Sequence, residues 1–193
     1  MAHAARAEPD AACRYTKERY FRLVVEGVLQ PDDRVELLEG VVVAMAPQNP
    51  RHAVAGDLVA DALRRAVGER GAVRVQRSFV AGRYSVPEPA VAVVPGRLRD
   101  YGRSRPTAAL LVVEVADSSL AQDRITKAAI YAAAGIPEYW IVNLRNDHVE
   151  VFRGPDPRAR RYRVMRIGRH GKRLPLRSLR GASVAVDELL PER

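Results

Sequence analysis

Apolar positions along the chain fall into blocks whose spacing switches between helical and extended several times. Thr16 followed by Glu18–Val25 reads as a short amphipathic helix with a threonine cap. Asp32 and Asp33 make a turn, and Val35–Met45 reads as a strand pair bent around Glu39-Gly40. Pro47–Pro50 closes that block with turn residues. From His52 to Gly68 the residues Val54, Leu58, Val59, Ala62, Leu63, Ala66 and Val67 keep helical spacing, and the pattern stops at the glycine. Val73–Val80 then alternates as a half-buried strand, with Val73, Val75 and Phe79 inward and Arg74 and Gln76 outward.

Val91–Val94 and Ala108–Val115 are continuous apolar runs, the pattern of strands buried on both faces, and Pro95–Pro106 between them is a basic loop. Asp123–Ala134 predicts a helix ended by Gly135 and Pro137. Tyr139–Asn143 and His148–Phe152 read as strands joined by a turn at Asn146-Asp147, and Tyr162–Ile167 as a further strand. Val184–Leu190 is a tail lying back against the body. This order predicts an α/β or mixed α+β fold: a central mixed sheet flanked by helices, with extra C-terminal strands. Residues 1–14 read as a flexible N-terminal segment and 15–193 as one domain.

A chain of 193 residues is long enough to bury a core. The net charge of +9 comes mainly from arginine, whose planar fork suits phosphate recognition. The alternative source is compositional drift, since alanine and valine are abundant too. Cys13 is the single cysteine, so neither an intramolecular disulfide nor a cysteine-based zinc site can form, which favours a reducing compartment. The first 14 residues hold no apolar signal core, and no apolar run approaches the roughly 20 residues that span a bilayer. The expectation is a soluble, cytoplasmic protein with no membrane partner.

Glu114 carries the strongest chemical signal. It sits inside the apolar run Leu110–Val115, where a carboxylate costs several kcal/mol unless it is paired or binds a metal. Asp123, Lys127 and Tyr131, spaced by four, share one helix face, while Ile125, Ala128, Ala129 and Ala132 form the face suited to packing on the sheet. A helix directly after the Glu114 strand can swing Lys127 toward that carboxylate; a solvated Asp–Lys pair is the plainer alternative. Glu36 and Glu39, as strand residues, point to opposite faces, so at most one of them easily joins a shared site. His52, opening the second helix, is a candidate phosphate donor or a simple cap. Glu88 and Ala90 share a strand face. The segment Arg158–Arg180 is dense in arginine, Arg161 and Arg163 flanking the aromatic Tyr162, and reads as a nucleic-acid grip or a solvated hairpin.

Several motifs in order give a family resemblance. Val112–Ser119, Asp123-Arg124, Lys127, Tyr131 and Ala134–Val142 with its Glu138-Tyr139-Trp140 block are similar to the signature of the Uma2 family, a branch of the PD-(D/E)XK nucleases. Val35–Gly40, Pro47–Pro50 with His52, and Val186–Pro191 agree upstream and downstream. The resemblance implies a restriction-endonuclease-like core that cuts DNA phosphodiesters with Mg²⁺ or Mn²⁺, and a homodimer. It makes Glu114 and Glu36 metal ligands and Lys127 the residue that positions water or stabilises the transition state, with Asp123 and Tyr131 supporting them. The family's Pro-Glu-Pro-Asp ends here in Ala90, which removes one ligand oxygen, and Val41 stands where an acidic residue commonly follows the glycine. Glu88 and Asp117 are the candidates to stand in. The resemblance therefore leaves two expectations: a metal-dependent endonuclease, or a degenerate nuclease fold used for nucleic-acid binding or assembly.

Overall fold

The computed structural model describes residues 14–30 and 32–192. Cys13 and all but Arg14 of the segment expected to be flexible lie outside the described residues. Helix α1 (Lys17–Val25) is capped by Thr16, whose hydroxyl accepts from the Arg19 amide. Strands β1 (Val35–Leu38) and β2 (Val41–Ala44) form the expected hairpin, with Leu38 paired to Val41. Glu39 and Gly40 both take positive φ, 55° and 84°, as a tight two-residue hairpin requires.

Helix α2 (Pro50–Val67) begins two residues before the apolar spacing suggests. Asn49 caps it and Pro50 occupies the first turn, where the missing N–H costs nothing, so the proline opens this helix rather than ending the previous block. Strand β3 (Ala72–Val75) is shorter than the alternation predicts. Gln76 turns out of the strand at φ 46°, and Phe79 and Val80 are buried through loop hydrogen bonds to the Pro87 and Pro106 carbonyls. Strands β4 (Val91–Val94) and β5 (Leu111–Ala116) are buried at every position, as their apolar runs predict.

After β5 the chain forms α3 (Leu120–Gln122), a π-helical turn (Asp123–Lys127) and α4 (Ala128–Ala133) in direct succession. Strands β6 (Glu138–Asn143), β7 (His148–Asp156) and β8 (Arg161–Gly168) follow, then a small β9 (Arg173–Pro175) and β10 (Ser183–Ala185) pair. The main sheet has the order β3-β4-β5-β6-β7-β8, with β5 and β6 parallel and the other neighbours antiparallel.

Alternation along β5 sorts the core. Leu111, Val113 and Val115 pack with α2, Trp140 and the C-terminal leucines, whereas Val112 and Ala116 pack with α4, Tyr131 and Tyr139. Glu114 lies in register with the second set and therefore faces α4. The helix buries both faces: Ala128 and Ala132 of the expected packing face are covered, and Lys127 reaches Glu114, as a helix directly after that strand allows. Asp123, Lys127 and Tyr131 are buried against the sheet, while Ile125 is 70% exposed. The apolar-inward rule fails here because buried carboxylates on the sheet pair with the polar side chains.

The hairpin turn sets where Glu36 is held. A Cβ on Gly40 would lie 2.6 Å from the Arg14 Cβ at a φ that disfavours L-residues. Gly40→Ala is expected to cost about 1–3 kcal/mol, read as a lower urea midpoint with an unchanged slope. A midpoint equal to the parent's would show that the turn relaxes freely.

Candidate active site

Three separate pieces of chain meet at one ammonium group. Lys127 Nζ lies 3.0 Å from Glu114 Oε1 on β5 and 3.1 Å from Glu36 Oε1 on β1. Tyr131, one turn further along the helix, donates its phenol to Glu114 Oε1 at 2.8 Å. The two remaining carboxylate oxygens accept backbone amides of the segment leading into β4: Ala90 N–H to Glu114 Oε2 at 3.2 Å and Glu88 N–H to Glu36 Oε2 at 3.1 Å. Asp123 accepts from the Ser119 hydroxyl at 2.7 Å and opens on the same pocket, which Glu36, Glu88, Ala90, Glu114, Asp123 and Lys127 line.

The π turn spans Asp123 and Lys127. In an α-helix a step of four residues overshoots one turn by about 40°, so side chains spaced by four drift around the rod. The wider turn at Asp123–Lys127 holds Asp123 and Lys127 on the buried side together with Tyr131. Outside the pocket, Arg124 grips the buried Glu150 of β7 with two hydrogen bonds of 2.9 and 2.6 Å, and Asn143 adds a third to the same carboxylate at 2.9 Å. The turn is thus held to the sheet by arginine on one side and lysine on the other. Two carboxylates embedded in apolar strands are the sequence signal for such anchors, and Glu150 carried it as Glu114 did.

Burial and like charge govern the titration. Burial pulls the Lys127 ammonium toward deprotonation, but Glu114, Glu36 and Asp123 outweigh it and hold its pKa above the ordinary lysine value. Burial raises Glu36, an effect that Lys127 opposes and Glu114 reinforces. Asp123 is raised from 3.8 to about 7 by burial and then by the Glu114 charge, against Lys127 and the Ser119 hydroxyl. Burial, then the Glu114 charge, places the Tyr131 phenol well above its usual value, so it remains a donor. Three carboxyl groups around one ammonium leave an excess of negative charge, which a proton on Asp123 reduces.

The other sequence candidates are distributed unevenly. Glu88 lines the pocket, but its carboxylate accepts from Ser78 at 2.7 Å. Asp117 lines the rim, engaged by Asn49 at 3.0 Å and Arg145 at 3.5 Å. His52 also lines it; Nε2 spends its proton on the Val115 carbonyl at 2.9 Å, and Nδ1 is buried without a partner. Arg161 and Arg163 lie on β8, at the opposite edge of the sheet from β3, and do not line the pocket. Arg163 pairs with Asp156 at 3.4 Å. The Mg²⁺ or Mn²⁺ implied by the resemblance does not fit this arrangement. All four oxygens of Glu36 and Glu114 already accept protons from donors, and no group of three His, Cys, Asp or Glu side chains among the described residues is placed to hold a metal.

A central mixed sheet with helices packed on it, and a helical lysine over a strand glutamate, define an α+β class for the chain. Its fold matches the crystal structure of "a putative nuclease belonging to DUF820" from Anabaena variabilis, with a TM-score of 0.71 and 13% identity over 90% of this chain and 96% of that one. The Uma2 family model, described as "Putative restriction endonuclease", matches residues 18–187, and the chain belongs to that family. No curated protein matches the chain. Among the described residues, no helix is long and apolar enough to cross a membrane.

Lys127→Met leaves Glu114 and Glu36 buried without their counter-ion, and a loss of about 3–5 kcal/mol in unfolding free energy is expected. A loss below about 1 kcal/mol would mean that the ammonium does not hold the cluster. Asp123 gives a separate signature. Its folded pKa of about 7 exceeds the ordinary 3.8, so between those values the folded state holds a proton that the unfolded state has released. Stability should therefore fall as pH rises from about 4 to about 7 and level off above. Asp123→Asn should flatten that limb, and an unchanged limb would assign it to another group.

Proposed function

We propose that this chain is a nucleic-acid-binding member of the nuclease class in which phosphodiester hydrolysis is suspended for want of one carboxylate. The reading rests on position 90. Where the family resemblance calls for aspartate, the chain supplies a methyl group, and the Ala90 N–H donates to Glu114 Oε2. Of the carboxyl groups lining the pocket, Glu36 and Glu114 have every oxygen engaged, and the internal Lys127 ammonium supplies compensating charge. A hard cation needs free oxygen ligands, and an extra carboxylate would both provide them and add the negative charge to hold it. The binding capacity is supported by the net charge of +9, carried on a chain whose acidic groups at this site face inward.

A second reading is DNA hydrolysis with Mg²⁺ or Mn²⁺. It draws on the convergence of Glu36, Glu114 and Lys127 in one pocket, where Lys127 could stabilise charge on a phosphate. Nicking of supercoiled plasmid in either cation separates the two. The parent is expected to leave plasmid intact while retaining a labelled duplex, Ala90→Asp to nick it, and Ala90→Asp with Glu114→Ala to fall silent again. Nicking by the parent that disappears in Glu114→Ala would overturn suspension and establish the second reading.

A further inference from the structure

Beside the acidic pocket lies a groove of opposite character. It is lined by Arg74, Arg77 and Ser78 at the end of β3 and by Tyr101, Arg103 and Arg105 from the basic loop, and no aspartate or glutamate lines it. The two concavities are neighbours along the chain: Gln76 lines the pocket and Arg77 the groove, and the Ser78 hydroxyl in the groove donates to Glu88 in the pocket.

Most long-range arginine contacts in the fold are ion pairs, as at Arg51–Asp147, Arg65–Glu188, Arg124–Glu150 and Arg153–Glu138. The groove arginines differ. Among the described residues, Arg77, Arg103 and Arg105 are exposed and have no carboxylate within ion-pair reach, and the Arg74 Nε–H is buried with no acceptor. The groove is held in shape by ring contacts instead. Arg74 lies 5.4 Å from the Tyr101 ring, Arg105 lies 4.0 Å from the Phe21 ring of α1, and the Tyr101 phenol donates to the Pro95 carbonyl at 2.6 Å. Guanidinium groups without internal anions, two of them set by ring contacts, are short of acceptors that phosphate oxygens provide.

We propose that this groove is the seat of the phosphodiester backbone of bound nucleic acid, in place of the arginines of β8 that the sequence pattern favours. The inference rests on the nucleic-acid reading above and adds the surface that carries it. Duplex DNA is the occupant that the charge complements: a polyanion can lie across several arginines at once and leave the acidic pocket against its flank.

Fluorescence anisotropy of a labelled duplex DNA, measured over a series of salt concentrations, tests it with two charge-matched variants. One carries Arg77→Ala, Arg103→Ala and Arg105→Ala; the other carries Arg161→Ala, Arg163→Ala and Arg166→Ala, so each loses three positive charges. Removal of three phosphate contacts should lower the slope of log affinity against log salt by about 2.7, at about 0.9 per contact, in the groove variant and leave the β8 variant at the parent slope. Equal losses in both variants, or a loss confined to β8, would overturn the assignment while leaving nucleic-acid binding intact. A parent that does not retain the duplex at low salt would remove the underlying reading and this one with it. Should loss of the Arg105–Phe21 contact unfold the triple variant, Arg77→Ala with Arg103→Ala alone should lower the slope by about 1.8.

Discussion

The Lys127 ammonium ties the amino-terminal hairpin, the centre of the sheet and the crossover helix to one point. Each of those elements brings a charge into a space from which water is largely excluded, and none of the charges could stay there alone. Removing the ammonium leaves both glutamates buried and uncompensated, so the cluster forms as a unit with the fold. The loop before β4 is drawn into the same unit, since its Glu88 and Ala90 amides supply the last two protons that the carboxylates accept. Pocket geometry and folding are consequently one problem here: the side chains that line the pocket also decide how hairpin, helix and sheet are spaced.

Charge of both signs is concentrated within a short distance. Carboxylates gather behind the pocket wall and are met by a lysine, a phenol and backbone amides, while unpaired guanidinium groups gather outside it. An acidic interior would repel a polyanion in isolation. Under the proposed binding mode, a phosphate would meet the arginines of the neighbouring groove before the acidic pocket.

The sequence made the scaffold readable wherever burial was uniform. The apolar runs of β4 and β5 announce strands covered on both faces, and Glu114 within one of them announces a carboxylate that must find a partner. The four-residue spacing of Asp123, Lys127 and Tyr131 grouped the right side chains. It placed Ile125 on the packing face, where Ala128 and Ala132 are buried but Ile125 is exposed, because periodicity ranks side chains by polarity and takes no account of a lysine that has an ion pair waiting. Local backbone chemistry hid two further boundaries: a left-handed Gln76 that ends β3, and an Asn49-Pro50 cap that looks like a stop. Arginine partners were beyond reach for a different reason. Arg65–Glu188 and Arg160–Glu39 join residues more than a hundred positions apart, so density along the chain cannot tell a paired arginine from a free one.

The π turn makes the spacing between β5 and α4 a matter of counting residues as well as of choosing them. Each residue of a helix carries about 100° of rotation. Losing one residue from Asp123–Lys127 would turn the rod into a regular α-helix and swing everything before the deletion around by that angle relative to Tyr131. With Ile125 removed, Arg124 would swing away from Glu150, while Lys127, on the Tyr131 side of the deletion, would keep its place beside Glu114. This short segment therefore tolerates changes of letter at its exposed positions, such as Ile125, far better than a change of length.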